Sequence, residues 1–181
     1  MPILGIYASS MQPALNASSY DSIATVTVGA GGTATVSLSS IPSTYKHLQV
    51  RITSLAPSLT SGLIYFNGGA GTYAWHELKG NGSSASATAG TSTNVLYSTY
   101  NETSTASYTG AAIVDILDYT NTNKAKTIRV LSGSDANGAG SVFLRSGVSS
   151  DTSAITSVNF IVSGGGNWAQ YSSFALYGVK G

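Results

Sequence analysis

Lys46-His47-Leu48-Gln49-Val50-Arg51-Ile52-Thr53-Ser54-Leu55 decides the fold class. Leu48, Val50 and Ile52 fall on one side of an extended chain, and His47, Gln49, Arg51 and Thr53 on the other. A strict two-residue period with one apolar side is the pattern of a half-buried strand, and strands of this kind pair antiparallel. Outward from this stretch the same grammar repeats. Apolar runs are short, rich in Val, Ile and Tyr, and closed by Gly or Asn, while helix-period patterning is hard to find. Candidate strands lie at residues 23–28, 33–38, 46–55, 62–67, 74–79, 94–99, 111–118, 126–131, 141–145, 155–163 and 172–179. The reading is an all-β, antiparallel β-sandwich of about ten short strands, with a jelly roll as the expected arrangement.

Ala111-Ala-Ile-Val-Asp-Ile-Leu-Asp118 is apolar on both sides, as expected of a central strand covered on both faces or of one facing another subunit. Turn chemistry predicts hairpins at Gly29-Ala-Gly-Gly32 and Asp135-Ala-Asn-Gly138, where Gly and Asn-Gly supply positive φ. Residues 1–22 carry Pro2 and Pro13 without alternation and read as an extended N-terminal arm, leaving 23–181 as one sandwich domain. Residues 83–93, a Ser/Ala/Thr/Gly stretch with no apolar anchor, read as a long exposed loop. Gly164-Gly-Gly-Asn-Trp168 opens a second loop and sets a Trp in it, either folded back on the core or offered to a partner.

Composition narrows the function. Of 181 residues, Lys and Arg number 8 and Asp and Glu 7, so charged side chains are only 8%, against about 25% in an ordinary soluble domain. A net charge of +1 offers no basic footprint for nucleic acid or for a membrane surface. No apolar run of about 18 residues suggests a membrane span, and no basic n-region suggests an export signal. There is no Cys, which removes disulfides, thiolate metal sites and a Cys nucleophile. The two histidines, His47 and His76, sit in candidate strands, and His76 and Glu77 point to opposite faces, so neither metal nor cofactor is expected. Asp115 interrupts an apolar strand and calls for a donor such as Arg51, Arg129 or Arg145. Phosphate-binding loops and nucleophile elbows are missing. These features point away from an enzyme.

The C-terminal strand, Ser173-Phe-Ala-Leu-Tyr-Gly-Val-Lys-Gly181, resembles the aromatic-Ala-Leu-Tyr-Gly-Ile/Val-Lys ending of a family of small virion proteins of tailed bacteriophages. Two further blocks fit the resemblance, Ser40-Ile-Pro-Ser-Thr-Tyr-Lys-His-Leu-Gln-Val-Arg51 and Phe66-Asn-Gly-Gly followed by Trp75-His-Glu-Leu-Lys-Gly-Asn-Gly-Ser-Ser84. The resemblance implies a capsid decoration (cement) protein, a head fibre or a tail appendage. For a cement protein it further implies a jelly roll, a homotrimer, the major capsid protein as partner and the outer capsid surface as location. The residues expected at an interface are Ile3, Leu4, Ile6 and Tyr7 on the arm, the alternative being an edge strand of the same sandwich, and Tyr73, Trp75 and Trp168 as aromatic residues near glycine loops, the alternative being that they fill the core. The rival expectation is a binding module for a host surface glycan, with loops 68–73, 83–93 and 164–171 offering Trp and Tyr faces for stacking.

Overall fold

The computed structural model describes residues 19–55, 60–69, 71–93, 96–101, 109–135 and 140–181. Ile3, Leu4, Ile6 and Tyr7 therefore lie outside the described residues. The described chain is all-β. The first strand, β1 (Tyr20–Thr27), pairs with the last, β12 (Ser173–Val179), and β2 (Thr35–Leu38) pairs with β11 (Val158–Val162). β3 (His47–Ser54) pairs with β8 (Gly110–Leu117), and β4 (Thr60–Phe66) with β7 (Leu96–Asn101). All four pairs are antiparallel, nested like a ribbon folded over on itself, and they alternate between two sheets. That wrap, with β1-β12-β3-β8 facing β2-β11-β4-β7, is the connectivity of a jelly roll.

Two hairpins are inserted into the ribbon. β5 (Thr72–Gly80) and β6 (Ala85–Thr93) lie between β4 and β7, and β9 (Lys126–Asp135) and β10 (Gly140–Ser149) between β8 and β11. Both add to the same sheet, giving an eight-stranded order β1-β12-β3-β8-β9-β10-β5-β6 over a four-stranded one. The larger sheet thus extends well beyond its ribbon strands.

The core lies between the sheets. Leu48, Val50 and Ile52 of β3 point inward as their alternation requires, beside Val114 and Ile116 of β8 and Ile128 and Val130 of β9. Val36, Leu38, Ile64, Phe66 and Phe160 face them from the smaller sheet. Burying each such side chain contributes about 1.5–3 kcal/mol. Phe160 and Trp168 both pack on Phe174, with ring centroids 5.1 and 5.0 Å away, so the strand that ends the chain carries the aromatic centre.

Three expectations are corrected. Residues 83–93 are largely a strand: β6 pairs along its whole length with β5, from Thr72↔Thr93 to Gly80↔Ala85. Backbone hydrogen bonds to β5 hold it at the sheet edge, and small side chains, exposed over most of the strand, leave no alternation to read. Gly29–Gly32 is not a hairpin between β1 and β2 but an arch between the two sheets, with Gly31 and Gly32 at φ 90° and 72°. Both connections need positive φ, so glycine does not distinguish them. Finally, Tyr20, Asp21 and Ser22 belong to β1, and Lys180 N–H donates to the Ser19 carbonyl at 3.1 Å, so the sandwich begins earlier than residue 23.

Candidate interaction surface

Of the expected contact residues, Tyr73 and Trp168 fill the core, each with no exposed surface. The Tyr73 hydroxyl accepts from Phe66 N–H at 3.1 Å, and burial pushes its phenol up from its ordinary value. Trp168 donates from Nε1 to the Phe160 carbonyl at 3.2 Å and exchanges two backbone hydrogen bonds with Thr33, at 2.8 and 3.1 Å. Both aromatics are drawn inward because each polar handle finds a backbone partner there. Trp75 is half-buried on the inner face of β5, with the Arg145 guanidinium 5.5 Å from its ring centroid. A Cβ on Gly90 of β6 would come within 2.8 Å of the same indole. The aromatic that the 164–171 loop exposes is Tyr171, at 71%.

The charged residues serve as ties. Arg145 and Glu77, buried between β10 and β5, form an ion pair, and desolvation lowers the guanidinium to about 10 while leaving it charged at neutral pH. Lys180 holds Asp21 at 2.9 Å across the β1–β12 pair. Asp118 binds Lys124 and, at 3.1 Å, Lys46, and its backbone N–H donates to His47 Nδ1 at 2.9 Å. Asp115 accepts from Gln49 Nε2 at 2.9 Å, and Gln49 Oε1 in turn accepts from Arg51 Nε at 3.0 Å. The expected donor Arg51 thus reaches Asp115 through Gln49. Among the described residues no group of three His, Cys, Asp or Glu side chains is placed to hold a metal ion.

The outer face of the eight-stranded sheet has two unlike halves. On β1, β12 and β3 it is aromatic and polar: Arg51 lies 4.8 Å from the ring centroid of Tyr177 and 5.5 Å from that of Tyr20. From β8 onward it carries a row of exposed apolar side chains. Ile113, Leu131, Leu144 and Leu78 occupy successive register positions on β8, β9, β10 and β5, continued by Ala87 on β6. Ile113, Leu131, Leu144, Leu78 and, beside them, Val142 are between 41% and 59% exposed. Two residues along each strand runs a parallel row, Ala111–Gly133–Val142–Gly80–Ala85. A ridge of large residues therefore borders a groove floored mostly by Gly and Ala, with Val142 its one large member.

The two-sided apolar pattern of 111–118 now has its explanation: Ala112, Val114 and Ile116 enter the core, and Ile113 opens onto this face. Of the two readings of that strand, cover on both faces does not hold, because Ile113 on its outer side is exposed. The same signal, adjacent large apolar residues within one strand, was present at Val130-Leu131 and Phe143-Leu144. Comparison of the chain with protein-family models, with curated proteins and with solved structures finds no match. The functional reading accordingly rests on the surface itself.

Proposed function

We propose that the protein is a non-enzymatic structural component of a virion, a decoration protein that binds the outer shell across its subunit seams. The observation that carries this reading is the ridge and groove on the outer face of β8, β9, β10, β5 and β6, an uncovered apolar surface on a chain with few charges. Such a surface favours association with protein over a dispersed monomer. The resemblance of the Ser173–Gly181 ending to small phage virion proteins supplies the setting. The mechanism is mass action: a protein that binds only the intact, expanded shell stabilises it by the free energy of that binding, and no bond is made or broken. The shell contact uses the N-terminal arm, with Ile3, Leu4, Ile6 and Tyr7 as its apolar anchors. A glycan-binding role draws less support, because Tyr73 and Trp168, two of the faces it needs for stacking, are buried.

The test is a cryo-EM reconstruction of the virion whose genome encodes the chain, together with its copy number by quantitative gel. Decoration predicts density at every equivalent seam and hundreds of copies. A handful of copies confined to the tail would overturn it. Protein lacking residues 2–18 should fold and fail to bind shells. The deletion must stop there, because Ser19 and Tyr20 are already tied to Lys180 and Val179.

A further inference from the structure

We infer that the ridge and groove on the outer face form a two-fold contact with a second copy of this chain, so that the unit that assembles is a pair. Shape, charge and area each argue for this occupant.

A two-fold axis can lie in the plane of the face along the cross-strand line Ala112–Ser132–Phe143–Lys79, midway between ridge and groove. Rotation about it reverses the strand direction and keeps the strand order. Ile113 then meets Ala111 of the other copy, Leu131 meets Gly133, and Leu78 meets Gly80. On β10, Leu144 meets Val142. On β8, β9 and β5 the ridge of each copy enters the groove of the other, and on β10 two apolar side chains meet, so the face is complementary to itself as an isologous interface requires. Two twisted sheets laid face to face in this way follow the aligned packing common between β-sheets.

The charges on β9 obey the same operation. Its outward positions read Arg129, Leu131, Gly133 and Asp135, and both Arg129 and Asp135 are exposed. Rotation about the axis that sets Leu131 over Gly133 also sets Arg129 over Asp135, twice per pair. A different partner protein, or an arm folded over its own sheet, would not require this strand to be complementary to itself.

The area is sufficient. Five strands at about 4.8 Å and eight to ten residues at about 3.4 Å cover on the order of 700 Å², close to the roughly 800 Å² per partner of a stable interface. The inference shares the adhesive reading of this face but does not require a virion. A pair in solution stands if no shell is decorated, and a monomer in solution leaves shell decoration standing.

The experiment is sedimentation equilibrium on the full chain and four variants, with thermal melts to establish that each is folded. Wild type should sediment at twice the chain mass at about 50 µM, and Leu131→Asp should raise Kd about a hundredfold. Arg129→Asp and Asp135→Arg should each be monomeric alone, because each sets like charges opposite one another across the axis. Mixed in equal amounts, those two variants should pair, since both cross-axis contacts are then of opposite sign. A chain lacking residues 2–18 should still pair. A monomeric or trimeric wild type, failure of the mixture to pair, or loss of pairing on removal of residues 2–18 would each overturn the proposal.

Discussion

Asp118 sits at φ 47° at the end of β8 and gathers Lys124 and Lys46 around its carboxylate. Hydrogen bonds from these two lysines lower its acid to about 2, below the ordinary 3.8. A depressed carboxyl contributes stability that is complete above the unfolded value and is lost as pH falls through the folded one. Asp118→Asn keeps a residue that tolerates positive φ but removes the charge. The gap in melting temperature between wild type and Asp118→Asn should therefore close as the pH falls from about 4 to about 2, a window to be read by circular dichroism melts. Trp168 makes the opposite kind of contribution, through volume. Trp168→Ala removes the edge contact to Phe174 and the Nε1 hydrogen bond to the Phe160 carbonyl, and it should cost about 3–5 kcal/mol in urea unfolding. Its position in a glycine loop could be read from the chain, but its burial could not, because that depends on the Phe160 carbonyl and the Phe174 ring arriving from elsewhere.

Among the elements, β12 explains why its sequence is so particular. The Tyr45 ring lies over Gly178, and a Cβ there would fall 2.3 Å from ring atoms. Tyr119 braces the same corner, its hydroxyl donating to the Pro42 carbonyl and accepting from Tyr45 N–H at 3.4 Å. Two of the blocks that carry the family resemblance, residues 40–51 and 173–181, are thus physically joined, since β3 and β12 pair from Ser173↔Thr53 to Val179↔His47. Gly178→Ala should displace Tyr45 and destabilise the protein by about 1–3 kcal/mol, with faster amide exchange along β12 and β3. At the far edge, Gly90→Leu should push against the Trp75 indole and loosen β6 from β5, which hydrogen exchange would show as lost protection in residues 85–93 and in the β5 N–H groups that donate to them. Alternation made β3 readable because its two faces see different surroundings. β6 has small residues on both faces and is a strand only because β5 supplies partners for its backbone.

Over the whole molecule, the ribbon connectivity joins the first described strand to the last, so the β1 edge of the larger sheet forms only once β12 is in place. Pairs of such wide sequence separation make folding slow. Refolding from urea should take milliseconds to seconds or longer, with protection of β1 and β12 gained together in pulse-labelling exchange. The inserted hairpins have a different consequence. They widen one sheet from four strands to eight while the other remains at four, and they carry most of the outer apolar ridge.

The sequence by itself determined the fold class, most strand positions, the scarcity of charge and the two-sided character of 111–118, because side-chain alternation and composition are local properties. Tertiary structure alone decided that 85–93 is a strand, that Tyr73 and Trp168 are core, and that Ile113, Leu131, Leu144 and Leu78 align in one exposed row. Each of these depends on which strand lies beside which and on what covers each face. Pairing partners are fixed by backbone hydrogen bonds between residues far apart in the chain, and those bonds leave no periodic mark on the residues that form them.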